Sequence, residues 1–165
     1  MNLAFAGFRH GHITALYKTA VDCADVTVMG CFEENDIART KMQGSLSCDF
    51  NYKSYDEVLS DKNVDAVAIA DYYSKRGQIV IAALKAGKHV ICDKPICTSL
   101  AELNEIERLT KETGLKVACM LDLRYMAQTE TVKEMIQRGD IGEIINISFT
   151  GQHCLDYGNR EGWYF

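Results

Sequence analysis

Short unbroken runs of apolar residues, each followed by a stretch with helical spacing, restrict this chain more than any other feature. The clearest run is Val64-Asp65-Ala66-Val67-Ala68-Ile69-Ala70. Leu3-Ala4-Phe5-Ala6 is another and stops at Gly7, and residues 26–32 and 116–121 read the same way. A short run, His89-Val90-Ile91, follows the turn residue Gly87, and a weaker strand is expected around residues 49–52. A strand with one wet face alternates apolar and polar residues, so unbroken runs mark strands covered on both sides. Between them Ile13, Leu16, Tyr17 and Ala20 recur at helical spacing, and so do Leu103, Ile106 and Leu109, which are expected to point inward. Further helices are expected over residues 36–42, 54–59 and 75–86, and over 100–113, ended by Gly114. Six such alternations suit right-handed βαβ crossovers with helices on both faces of the sheet. The fold expected is α/β, a doubly wound parallel sheet.

Composition narrows the function. The 165 residues carry a net charge of −5, which offers no basic surface for nucleic acid and no polybasic patch for a membrane. No apolar run is long enough to cross a bilayer. The start of the chain reads as a strand and not as a secretory leader. The seven cysteines form no CxxC pair, and Cys31, Cys92 and Cys119 fall in or beside apolar runs. Buried free thiols in a reducing cytoplasm are therefore expected.

The only proline lies in Cys92-Asp93-Lys94-Pro95-Ile96-Cys97. The capping box Ser99-Leu100-Ala101-Glu102 opens a helix just after it. Lys94 should thus sit on a loop at the carboxyl end of a strand, the edge where open α/β sheets bind ligands. It could hold an anionic or hydroxyl-bearing ligand there, or be a solvated lysine beside a turn.

A dinucleotide motif G-x-G-x-x-G would fall on Gly7, Arg9 and His12; only Gly7 fits, and Gly11 is out of register. Physically the turn still leaves a strand and enters a helix, whose first amides favour an anion. Arg9 could add a charged fork to a phosphate. Glu33 ends the second strand where a ribose-binding acid belongs. The alternative is a βα turn without a ligand and a surface glutamate. His10 and His12 stand two apart with no third ligand in view, and no metal is expected.

These segments, taken with Ala83-Leu84-Lys85-Ala86-Gly87-Lys88-His89-Val90, Asp93-Lys94-Pro95, Arg124-Tyr125 and Gly139-Asp140-Ile141-Gly142-Glu143, resemble the Gfo/Idh/MocA oxidoreductase family over roughly residues 3–150. The resemblance implies a Rossmann domain that binds NAD or NADP and redox chemistry on a sugar, a cyclitol or a related small molecule. Lys94 would lie beside the nicotinamide and touch the reacting hydroxyl. Gly7, Phe8, Arg9, His10, Gly11 and His12 would cradle the pyrophosphate, and Glu33 would hold the adenosine ribose, favouring NAD over NADP. Asp71, Tyr72 and Asp93 would also line the cofactor. Asp71-Tyr72 stands where the family has Thr-Pro, and the histidine expected shortly after is replaced near Arg76.

Ile145, Ile147 and Phe149 alternate with Asn146, Ser148 and Thr150, the pattern of a half-buried strand. Residues 1–122 are expected to be the Rossmann domain and residues 123–165 the start of a second, incomplete α/β domain. A complete second sheet would be a route to a homo-oligomer. The family's catalytic Asp and His would follow this point, and His153 lacks the matching context. On that reading the chain binds cofactor at most; a non-catalytic nucleotide-binding or regulatory module is the alternative.

Overall fold

The computed structural model describes residues 1–164. The chain divides into two compact units, Met1–Met120 and Leu121–Phe165.

The first unit holds one five-stranded, all-parallel sheet. Its strands are β1 (Asn2–Phe8), β2 (Thr27–Phe32), β3 (Ala66–Ala70), β4 (His89–Asp93) and β5 (Val117–Met120), in the spatial order β2-β1-β3-β4-β5. The helices between them are α1 (His12–Asp22), α2 (Asp36–Leu46), α3 (Tyr55–Ser60), α4 (Tyr73–Lys85) and α5 (Leu100–Thr113). Alternate residues of each strand point to opposite faces, and both faces are apolar. Leu3, Phe5, Ala66 and Ala68 pack with Ile13 and Tyr17 of α1 and Met42 of α2. Ala4, Ala6, Val67, Ile69 and Val90 pack on the other face with Val58 of α3, Val80 and Leu84 of α4, and Ile106 and Leu109 of α5. That double cover is why the strands read as unbroken apolar runs.

Several local readings change. β1 does not stop at Gly7 but runs through it, with φ +85 there and a shift in its register with β3 between Ala6 and Phe8. The strand expected at 49–52 does not form. The backbone of that segment meets β2 at Cys31, whose N–H donates to the Asp49 carbonyl (2.8 Å) and whose carbonyl accepts from Tyr52 (3.3 Å), while the Asn51 side chain donates to the Met29 carbonyl (3.1 Å). Two isolated bonds are too few to make a ladder, so the strand–helix alternation counts five strands and not six. Leu103 is 44% exposed, whereas Ile106 and Leu109 are buried. The first turn of α5 meets α4 through Glu102 instead: a Cβ on Gly77 would lie 2.5 Å from its carboxylate.

Helix ends follow their caps. Asn35 and Ser54 accept the amides of Ala38 and Glu57 at the starts of α2 and α3. Ser99 accepts the Glu102 amide, and α5 ends at Gly114 with φ +71, both as the sequence predicts.

In the second unit a 3-10 turn (Asp122–Tyr125) precedes α6 (Ala127–Arg138), which ends at Gly139 with φ +77. The strand expected over residues 144–150 is absent, and Ile145, Ile147 and Phe149 are exposed. Alternation alone does not hold a strand; its amides need a ladder partner, and none pairs with it among the described residues. No helix among the described residues is long and apolar enough to cross a membrane.

Candidate functional site

The carboxyl ends of the parallel strands share one edge of the sheet. Between β1 and β3 the strand order reverses, since β1 leads outward to β2 while β3 leads on to β4. Such a reversal leaves a crevice between the loops. Every residue picked out as a candidate on β1, β3 and β4 arrives at this edge.

Gly7 is demanded by packing. A Cβ there would lie 2.8 Å from the Asp71 Cβ and 2.9 Å from its amide nitrogen, and the positive φ would strain any L side chain. Phe8 is buried, and its N–H donates to Glu33 Oε2 at 2.5 Å. Arg9 lies over the Tyr72 ring, 4.4 Å from its centroid, and donates to the Tyr72 hydroxyl at 2.5 Å. The His10 amide donates to the Ala70 carbonyl (3.0 Å), which pins the loop across the end of β3. Gly11 is the residue before α1, has ordinary helical angles and makes no side-chain cap.

Glu33 stands at the end of β2 as expected, but its carboxylate turns toward the loop after β1. It is 1% exposed and accepts the amides of Phe8 and Asn35 (2.8 Å). Burial pushes its carboxyl up; those two amides and Arg9 pull it down, while Asp71 adds to the rise. Its neighbour Glu34 is the exposed acid and pairs with Lys75. Beside them opens a cleft of about 420 Å³ lined by Phe32, Glu33, Glu34, Arg39, Phe50, Tyr52 and Lys53.

Asp71 is fully buried at the end of β3. It accepts the Tyr72 amide (2.6 Å) and the hydroxyl of Tyr55, whose ionisation is pushed far up by burial and by the Asp71 charge.

At the end of β4, Asp93 gathers the most contacts. His10 Nδ1 lies 2.5 Å from one carboxylate oxygen and His12 Nδ1 3.0 Å from the other. Arg76 of α4 reaches the same group at 3.2 Å, and the Lys94 amide donates to it at 2.8 Å. Burial alone would raise the Asp93 carboxyl; the two histidines and the Arg76 charge hold it instead at about 2. The sequence offered no third group for His10 and His12, and the fold supplies one. Three such groups are the makings of a cation site. Here direct hydrogen bonds occupy the carboxylate, and a guanidinium already balances its charge.

Arg76 also donates to the carbonyls of Asp71 (2.8 Å) and Lys94 (2.5 Å), joining the β3 and β4 loops. Its fully buried side chain was not foreseen as part of the site. The signal was present: Arg76, Ile79, Val80 and Ala83 share one helical stripe, and an arginine on a buried stripe must have buried partners.

Lys94 follows β4 on the loop predicted for it, in a cis bond to Pro95. It is half-buried, and its Nζ has no hydrogen-bond or ion-pair partner among the described residues. His153 lies in the second unit, against Arg160 and its neighbour's carbonyl.

A five-stranded parallel sheet with helices on both faces and a glycine turn at the strand-order reversal defines a Rossmann-like nucleotide-binding fold. The profile of the oxidoreductase family with an NAD-binding Rossmann fold, GFO_IDH_MocA, matches residues 1–121, and the chain belongs to that family. It is 31% identical over 103 residues to a myo-inositol 2-dehydrogenase of Thermotoga maritima, a stretch covering 62% of this chain and 31% of that protein. It is 32% identical over 93 residues to the D-xylose 1-dehydrogenase (NADP(+)) of Hypocrea jecorina, 56% of this chain and 24% of that protein. An NAD-binding protein from Listeria innocua has the same fold, with a TM-score of 0.75, 29% identity, and coverage of 86% of this chain and 41% of that one. The matched stretch spans about a third or less of the curated relatives.

Proposed function

We propose that the first unit binds a nicotinamide dinucleotide, NAD in preference to NADP, for a dehydrogenase acting on a hydroxyl of a sugar, cyclitol or related small molecule. One observation carries this reading. The glycine turn and Lys94 reach the same edge of the sheet, at the reversal of strand order, with the Lys94 ammonium unengaged. The donor set suits the cofactor: Arg9 and His12 are basic side chains beside the turn, and the cleft near Glu33 is of a size to take an adenosine.

When bound, the nicotinamide supplies the hydride acceptor. The chain's own residues bind and orient. Gly7 lets β1 pass close to Asp71. Arg76 and Asp93 hold the β3 and β4 loops in register, so the Lys94 backbone is fixed while its ammonium stays available. Lys94 then donates a hydrogen bond to the substrate oxygen and holds it in place beside the nicotinamide.

Preference for NAD rests on charge. Glu33 and Glu34 flank the cleft, and a carboxylate repels a 2′-phosphate. Arg39, the cation that phosphate would need, is already held by Asp36 and by the Glu33 carbonyl (3.2 Å). Because one relative is named for NADP(+), titration calorimetry should use both cofactors. Tighter binding of NAD is expected. Equal affinity or an NADP preference removes the acids from that role, and no binding of either favours a non-catalytic module. The free thiols suit a reducing compartment such as the cytoplasm.

A further inference from the structure

Away from the sheet edge that carries Lys94, two cysteines and a tyrosine converge in the core. Cys31 lies in β2 and Cys48 just beyond α2, and both are buried where α1 and α2 pack on the sheet. The backbone brings them together: the Cys31 N–H donates to the carbonyl of Asp49, the residue after Cys48 (2.8 Å). The two thiols meet side chain to side chain, and the Tyr17 hydroxyl of α1 meets the Cys48 sulfur. The three groups are not equivalent. Burial pushes the Tyr17 hydroxyl up, and contact with Cys48, then burial, pushes the Cys31 thiol up. Cys48 moves the other way, because the Cys31 thiol and the Tyr17 hydroxyl both donate to it and outweigh its burial. Cys48 is thus the sulfur on which a thiolate forms first, with a thiol beside it. A cleft of about 380 Å³ is lined by Tyr17, Val21, Leu46 and Ser47, so it opens onto that hydroxyl and onto the residue before Cys48.

We propose that Cys31 and Cys48 are a peroxide-sensitive pair, in which Cys48 is oxidised first and Cys31 closes a disulfide on it. The oxidant is hydrogen peroxide, small enough to reach a buried sulfur by way of the cleft. The Cys48 thiolate attacks one peroxide oxygen, the O–O bond breaks, and the departing hydroxide takes up the proton that Cys48 lost. This leaves water and a Cys48 sulfenic acid. The Cys31 sulfur then attacks the Cys48 sulfur, the S–O bond breaks, and the second hydroxide leaves as water with the Cys31 proton. The two thiols lose two electrons and peroxide gains them. Thiols already in contact need little backbone movement to bridge. Cys92 and Cys119 also stand opposite each other, on β4 and β5, but burial pushes both of these thiols and that of Cys97 up, so that group supplies no ready thiolate. The bridge would staple the segment after α2 to β2, where the backbone alone makes two bonds, and so stabilise the first unit.

Stoichiometric hydrogen peroxide added to the reduced 165-residue chain at neutral pH tests this. The chain should lose two of its seven thiols, recover them with dithiothreitol, and melt at a higher temperature while oxidised. Fragment-ion mass spectrometry after blocking of the remaining thiols should find Cys48 joined to Cys31 and not to Cys23, which shares the Cys31 tryptic peptide. Cys31→Ala should stop the reaction at a Cys48 sulfenic acid that dimedone captures. Tyr17→Phe, which keeps the ring and removes the hydroxyl, should slow the oxidation about fivefold. Both variants are expected to keep wild-type circular dichroism. Seven thiols still present after peroxide, a bridge between Cys92 and Cys119, or dimedone on the exposed Cys23 or Cys154 while Cys31 and Cys48 still alkylate would overturn the pair. A wild-type rate in Tyr17→Phe would overturn Cys48 as the sulfur that reacts first.

Discussion

Arg76 ties three parts of the sheet edge with one side chain: the Asp71 carbonyl, the Asp93 carboxylate and the Lys94 carbonyl. Each bond leaves a different atom of the guanidinium fork, a geometry that lysine cannot reproduce. Arg76→Met would strand a buried carboxylate beside two histidines. It should lower stability by about 3–5 kcal/mol in urea unfolding. A change within about 0.5 kcal/mol would mean that the histidines alone suffice to hold Asp93. Lys94 is the opposite case, with a fixed backbone and a side chain that makes no hydrogen bond or ion pair among the described residues. Lys94→Ala should leave the melting temperature and NAD affinity near wild type, and in an enzyme that carries the complete second domain it should cut turnover of a sugar or cyclitol at least about a hundredfold. Unchanged turnover would remove Lys94 from the chemistry; a large fall in melting temperature would make it structural.

Among the elements, β1 shows most clearly how a single position sets the site. The strand must pass within contact of Asp71 while turning through φ +85 at Gly7. Gly7→Ala combines left-handed strain with a clash against backbone, which flexible side chains cannot relieve. A loss of at least about 2 kcal/mol is expected. Because the strain is passed to the turn that follows, NAD affinity should fall with it, and calorimetry alongside denaturant unfolding would show whether the two move together. α1 departs from the usual arrangement. Its first turn closes on itself, with Ile13 donating to the His10 carbonyl and Thr14 to the Gly11 carbonyl.

At the scale of the whole molecule, the buried edge cluster links stability to pH. Asp93 is held at about 2 in the folded chain, below the ordinary aspartate value. A depressed carboxyl contributes stability above the unfolded value, near pH 4, and loses it as pH falls through the folded value, near 2. That contribution is about 2 kcal/mol. Acid unfolding should therefore steepen between about pH 4 and about pH 2, and Asp93→Asn should flatten this part of the curve while lowering stability at neutral pH. If the variant unfolds along the wild-type acid curve, another carboxylate dominates.

The parallel sheet was legible in the sequence because burial on both faces writes itself as unbroken apolar runs, as in Val67 to Ala70 and Leu3 to Ala6. Helix ends were legible where a cap is local chemistry, as at Ser99 and Gly114. The place of Lys94 followed from its position between a strand and a capping box. Period and capping act within a few residues, so they survive in one dimension. The strands expected at 49–52 and 144–150 failed because a strand is a property of two segments, and propensity in one says nothing of a partner. Leu103 failed because its helix face was right but the neighbouring α4 offered Gly77 to Glu102 instead. The meeting of His10, His12, Arg76 and Asp93 belongs to the tertiary structure alone. These residues come from the loop after β1, the first turn of α1, the helix α4 and the end of β4, and only the order of strands in the sheet decides that the turn after β1 passes over β3 to reach the end of β4. The orientation of Glu33 was decided the same way, since its carboxylate was drawn inward by amides that only folding brought within reach.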